Sequence, residues 1–402
     1  MRIVARLLGI ILALIVTAWL IGSVTAKTAS NDIQRETWPA GLGTLASVEG
    51  RVRPQTTNDA ARQLASLAKP LQISFEMPPP RNRVSAPVNG VVMDHLKAEH
   101  ARADATIGAA PAEVVAYLAA HEKEIDAVRD HLLRAETIQW DLQPSEWLDA
   151  PAPNFVGHMH LARLLTVRAL EYGHAKDPRA WDDLHAAWRL GRSLEARPEL
   201  ISQMIFLAIA RSVNAVAWKL PQPEAPWFAE VQNVDHRQLF LRAHQHETWV
   251  AARHSSNTLH GIGGFLAEPF FRWATVSFTR HQRETATQVA AATACAFDGG
   301  AFAQARFEAI PRWNIFAQIA TPNLGAMWQR MFRTMAEREA TANAMRIAHG
   351  QPIVAQSACS DGAWKYENGR LSFSRDLPKS NSAESVMPLS LAISARATPR
   401  ST

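Results

Sequence analysis

Apolar positions recur at helical spacing along most of the chain, and most densely over 157–220. Between 157 and 172, Leu161, Leu164, Leu165, Ala169 and Tyr172 share a face, while Arg163 and Arg168 fall elsewhere on the wheel. Asp177-Pro178 then reads as an N-cap followed by proline at the first helical position, where its missing N–H would be unpaired anyway. From 178 to 194, Trp181, Leu184 and Trp188 form one stripe. Asp182, Asp183 and Arg189 lie off it and read as a solvated face. After Pro198, residues 199–218 are apolar nearly all round, until Pro221 and Pro223 end the helix. A helix of that kind is buried among others. Gln203, Arg211 and Asn214 inside it, with Glu199 and Lys219 at its ends, favour a core helix over a membrane span.

Ahead of this centre, residues 7–26 run without a charge behind Arg2 and Arg6. Twenty residues at about 1.5 Å each cross a hydrocarbon core of about 30 Å. The flanking arginines put the N-terminus in the cytoplasm and Trp19 toward the far interface. The favoured reading is an uncleaved anchor, because the run is long for a signal-peptide core. The alternative is a cleaved signal peptide ending at Val24-Thr25-Ala26, which would leave a secreted protein. The stretch around Trp38-Pro39, Gly41 and Gly43 reads as an extended linker, and 58–69 as a short helix. Residues 71–77 alternate like a strand, stopped by Pro78-Pro79-Pro80. A helical region begins at 91, and one long helix is expected over 111–136, with Val114, Leu118, Ile125, Val128 and Leu132 in its seam and His121 at the remaining seam position. Residues 137–153, with Trp140, Trp147 and three prolines, connect to the centre.

Beyond the centre, helices are expected over about 235–259 and 268–297, with Gly261, Gly263 and Gly264 as a break between them. Asp298-Gly299-Gly300 reads as a turn, and a last long helix runs from a Thr321-Pro322 cap to His349-Gly350. Then the period changes. Asn368-Gly369 between two alternating flanks, around Trp364 to Tyr366 and Leu371 to Phe373, signals a type I′ hairpin. Leu389, Leu391 and Ile393 offer a third strand, 71–77 a further one, and the tail from 396 is expected to be disordered.

The fold class is therefore mainly α: an N-terminal transmembrane helix, an exported multi-helix bundle and a small C-terminal antiparallel β-hairpin sheet. The boundaries are 1–26 for the anchor, 27–90 for a linker with a short helix and one strand, 91–349 for the helical domain, and 350–402 for the hairpin region and tail. The central hairpins invite comparison with tetratricopeptide-like repeats, but no second copy at their period of about 34 residues is visible.

Composition changes this picture little. A net charge of +5 over 402 residues, with no run of five Lys or Arg, gives no nucleic-acid patch. Most of the thirteen tryptophans sit at helical spacing beside Leu or Ala and read as core. Cys295 and Cys359, the only cysteines, could pair in an oxidising compartment. His244, Glu247 and His254 fall within roughly 80° of one another on a helical wheel, so one helix could offer two imidazoles and a carboxylate to a metal. His95, Glu99 and His100 could add a ligand from a second helix, as bundle metal sites do. His246-Glu247 misses the zinc-protease spacing, because Val250 stands where the second histidine is required. No nucleophile elbow, phosphate loop or dinucleotide fingerprint appears. The expected function is a non-enzymatic protein-interaction or scaffold module, in the cytoplasmic (inner) membrane with its body in the periplasm, and no cofactor. The alternatives are a metal-binding protein or enzyme on the His/Glu face, and a carrier of hydrophobic ligands between Trp- and Phe-rich helices.

Overall fold

The computed structural model describes residues 2–76, 88–144, 152–221, 225–257, 261–321, 324–378 and 386–393. The chain begins with one continuous helix, α1 (Arg2–Arg35), long and apolar enough to cross a membrane. A minimal hairpin, β1 (Thr37–Trp38) with β2 (Gly43–Thr44), and the short helices α2 (Val48–Arg51) and α3 (Asp59–Ala68) follow. Next come α4 (Val88–Ala101), α5 (Ala112–Ala120) and α6 (Glu122–Arg134), then the central trio α7 (Phe155–His174), α8 (Arg179–Arg192) and α9 (Leu200–Ala217). After α10 (Phe228–Asn233), the long helices α11 (His236–Asn257) and α12 (Gly261–Ala291) form a second layer, with α13 (Gly299–Glu308) and α14 (Ile315–Ala320) beside them. The last helix, α15 (Gly325–Ala348), leads to a three-stranded antiparallel sheet of β3 (Trp364–Glu367), β4 (Arg370–Phe373) and β5 (Ser390–Ala392), in the order β3-β4-β5.

The central trio organises the molecule. On α9, Phe206, Ile209, Val213 and Val216 join a core with α7 and α8, while Leu200 and Leu207 join a second core with Phe240 of α11 and Trp328 and Phe332 of α15. α9 thus serves both layers and is buried, as its all-round apolar sequence requires. Inside the first core, Arg168 of α7 donates from Nε to Asp183 of α8 at 2.7 Å and from Nη1 to Asp126 of α6 at 2.9 Å. Asp183 has no exposed surface, which corrects its placement on a solvated face. Burial raises its pKa to about 6, against the pull of Arg168.

Several expected boundaries shift. The helix over 111–136 is two helices meeting at His121, whose backbone leaves the helical region, although all five seam residues are buried. Leu71, Ile73 and Phe75 do bury one face of an alternating segment, but through residue 76 it pairs with no strand and stays away from the C-terminal sheet. Instead Phe75 O accepts from Asn154 N at the start of α7, so the alternation serves a helix-packed extended chain. Trp38 is no linker residue: it is 2 % exposed and fills the second core. The glycines at 261–264 lie within α12 rather than before it. Gly299 and Gly325 let α13 and α15 touch backbone to backbone, since a Cβ on either would overlap the carbonyl of the other. Asn368 and Gly369 take positive φ in the β3–β4 turn, as the hairpin signal demands. The proline stop at 78–80, Trp147, Pro223, Pro322 and the tail from 396 lie outside the described residues.

Cys295 and Cys359 are joined, closing a loop with a sequence separation of 64 and tying the chain after α12 to the approach to β3. Asp361 supports the junction by accepting from Cys295 N at 2.8 Å and Ala296 N at 3.0 Å.

Candidate functional site: a cation-lined cavity between α4, α7, α9 and α15

The residues singled out for metal binding are not brought together. His244 is buried between Trp38 and Trp328, with Nε2 3.1 Å from the Gln282 carbonyl of α12. Burial pushes its pKa down to about 4. The Glu247 carboxylate accepts from Leu200 N at 3.1 Å, satisfying the first turn of α9. His254 lies ten residues beyond His244, about 15 Å along a helix axis. The wheel brings the three onto one face, but the helical rise separates them beyond the reach of a single ion. Glu99 is also engaged: it accepts from Gly108 N at 3.2 Å and Arg102 Nη2 at 3.0 Å, and Lys219 Nζ stands 3.4 Å away. Among the described residues, no group of three His, Cys, Asp or Glu side chains is placed to hold a metal.

The structure instead opens a cavity of about 350 Å³ where α4, α7, α9 and α15 meet. On α9 its wall is Ala208, Ile209, Arg211, Ser212 and Ala215, four of them at the i, i+3, i+4, i+7 spacing of one helix face. From α4 come Met93, Leu96, Lys97 and His100; from α7, Met159 and Arg163; from α15, Glu337. A second cavity of about 180 Å³ shares Met159, Arg163, Ala208 and Arg211 with the first and continues to Met204, Met327 and Arg330. Methionine walls adapt to irregular apolar shapes.

One corner is polar and positively charged. Arg211 grips Glu337 with two hydrogen bonds, Nε–Oε2 at 2.8 Å and Nη2–Oε1 at 3.0 Å, and Arg333 Nε reaches the same carboxylate at 3.0 Å. Glu337 is therefore shared by two guanidiniums, and Arg163 and Lys97 add further positive charge at the wall. Lys97 pairs with Asp94, at 3.7 Å and mostly exposed. His100 records the resulting field. Burial, then Lys219, Arg211 and Arg163, press its pKa down to about 3. A cation there is disfavoured, so the ring is neutral across the physiological range.

His100 Nε2 lies 3.3 Å from Ser212 Oγ, which raises the question of a nucleophile and base. A base this weak takes up little of a hydroxyl proton, since proton transfer is most effective when the pKa lies near the working pH. The corner is suited to receiving an anion and the rest of the cavity to an apolar body. Sequence reading missed it: Arg211 appeared there only as an interruption of an apolar helix. No protein-family model, no curated protein and no solved structure matches this chain. What the fold and site define is a class, a mainly helical protein with a half-open, cation-cornered amphiphilic cavity.

Proposed function

We propose that this protein is a membrane-anchored binding protein for an anionic amphiphile, a molecule with a carboxylate or phosphate head and an acyl-like tail. The observation that carries the reading is the pairing of Arg163, Arg211 and Lys97 with walls of Met, Leu, Ile and Ala in one cavity. Its volume is at the lower end of the range for small-molecule pockets. Each buried methylene of a tail contributes about 0.8 kcal/mol, and the head exchanges water for charge-assisted hydrogen bonds. The proposal takes up the carrier alternative in altered form, with cavity walls that hold methionine rather than Trp and Phe.

The proposal includes a location: α1 spans the cytoplasmic membrane, with Arg2 and Arg6 inside and the body on the periplasmic side. Support comes from the uncharged run at 7–26, the positive-inside bias, and a disulfide, which persists in oxidising compartments. The anchor is read as uncleaved. Trp19, Gly22 and Ser23 all pack on α12, and cleavage after Ala26 would remove those contacts.

The test uses the full chain in nanodiscs, titrated calorimetrically with decanoate, octyl phosphate and uncharged decanol. Ala208→Trp, which fills the cavity, subtracts partition into lipid. The anionic probes should bind at least about tenfold more tightly than decanol, as expected for hydrogen bonds to charged groups. Arg163→Met should weaken them by a similar factor. Equal binding of decanol, or binding indifferent to both substitutions, would refute the proposal.

A further inference from the structure

We infer that the first turns of α12 form a second membrane contact, inserted shallowly in the leaflet from which α1 emerges, so that the body is docked on the bilayer rather than tethered above it. This rests on α1 being a membrane span.

The argument starts with the packed stripe of α1. Its apolar residues from Leu7 through Val24 are largely exposed. The covered positions begin at Trp19 and continue through Gly22, Ser23, Ala26, Ser30 and Ile33 at helical spacing. The contacts run in step with α12. The Trp19 ring lies 4.3 Å from Phe265, Trp19 Nε1 donates to Leu266 O at 3.2 Å, and Ser23 Oγ donates to Glu268 at 2.9 Å. Further up, Glu36 pairs with Arg283. The two helices are therefore parallel, and the start of α12 lies beside the last turns of the uncharged run of α1.

What α12 presents there matches a lipid surface. Residues 261–267 carry no charge. Phe265, Leu266 and Phe270 are 59 %, 61 % and 51 % exposed. Glu268 is engaged by Ser23 and Arg272, so the first carboxylate on this helix is neutralised on the spot. Just above come Trp273 and, against Phe270 at 5.9 Å, Trp313 beside Arg312. Aromatic and basic residues in that order, above an apolar edge, mark a headgroup boundary. Trp19 lies about two turns lower, at the level of Phe265 and Leu266, and its indole N–H has the partner that a water-poor region requires. A helix face lying in the interface reaches about 5–10 Å below the headgroups, which sets the depth of this contact. Lipid is the occupant because the patch continues directly into the α1 face that lipid covers.

The experiment places single spin labels on the full chain in proteoliposomes at Leu266→Cys, Phe270→Cys, Leu12→Cys and Lys365→Cys, with melting curves to verify folding. Accessibility to oxygen against a water-soluble nickel chelate reads depth. Leu12 in lipid, Lys365 in water, and Leu266 and Phe270 shielded from the chelate would bear the inference out. Leu12 in lipid with both α12 sites freely reached by the chelate would overturn it and leave the anchor standing. Leu12 in water would remove the anchor itself, and the docking with it.

Discussion

At the scale of single residues, His100 is the reporter of the cavity. Its depressed pKa has two causes that respond differently to a ligand: burial, which a ligand preserves, and repulsion by Lys219, Arg211 and Arg163, which an anion offsets. Saturating decanoate should therefore raise the titration of the His100 ring, followed by NMR, while decanol leaves it low or lowers it further. An unchanged titration with bound decanoate would place the head group away from this corner. None of this could be read from the chain. Arg211 and its partner Glu337 stand 126 residues apart, and an isolated arginine in an apolar helix carries no sign of which carboxylate it will meet. The histidines misled for the converse reason. His244, Glu247 and His254 share an angular sector, but a wheel discards the rise along the axis and says nothing of Gln282 or Leu200, which engage the first two.

At the scale of elements, α7 and α8 are held by packing and by a charge pair that packing has removed from water. Arg168 is 3 % exposed and Asp183 not at all. Removing one partner leaves the other as an uncompensated buried charge, so Asp183→Ala should destabilise by about 3–5 kcal/mol. Replacing both, with Arg168→Met and Asp183→Leu, should recover much of that loss, because desolvation of the pair offsets most of its attraction. Asp126 tempers the recovery, since it loses its contact with Arg168 while keeping Arg129. Denaturant melts of Arg168→Met, Asp183→Leu and the double close this cycle, with Asp183→Ala measured beside them. A double variant no better than Asp183→Ala would mean that the pair contributes net stability. Elements themselves were largely legible. The periodicity of 157–220 became α7, α8 and α9, and Asn-Gly gave the β3–β4 turn. Legibility ended where partners decide: Leu71, Ile73 and Phe75 alternate as a strand would, yet at Phe75 the backbone bonds to the start of α7 rather than to another strand. It also ended at Asp183, where polarity alone suggested water.

At the scale of the whole molecule, burying so many histidines makes the fold sensitive to acid. Burial pushes His236 down to about 3 and His158, His244, His246 and His281 to about 4, from an ordinary value of 6.5. In each case the unfolded chain takes up a proton near pH 6.5 and the folded chain does not until the pH is far lower. The stability from keeping these rings neutral is thus fully present above about pH 6.5 and is lost as pH falls from there toward 4. Each ring adds a slope of up to about 1.4 kcal/mol per pH unit within that window. Asp183 acts in the opposite sense: its raised pKa means that the folded state gains a proton near pH 6, before the unfolded chain does, and this favours folding in acid. Glu247, raised by burial, acts in the same sense as Asp183, but His100 joins the five rings on the other side, and two carboxyls do not balance them. Against a typical domain stability of about 5–15 kcal/mol, several such slopes acting in one direction weigh heavily on the fold within the window. Melting temperature should therefore hardly change between pH 8 and 7, then fall steeply between pH 6 and 4. The disulfide between Cys295 and Cys359, worth about 4 kcal/mol in the chain-entropy picture, should displace the acid transition without flattening it, because it constrains the unfolded chain and does not alter its proton uptake. Scanning calorimetry across that range, with and without reductant, separates the two. A flat profile would mean that the histidines reach water or proton acceptors in the folded state. A transition that vanishes on reduction would assign the stability to the crosslink instead of to the neutral core.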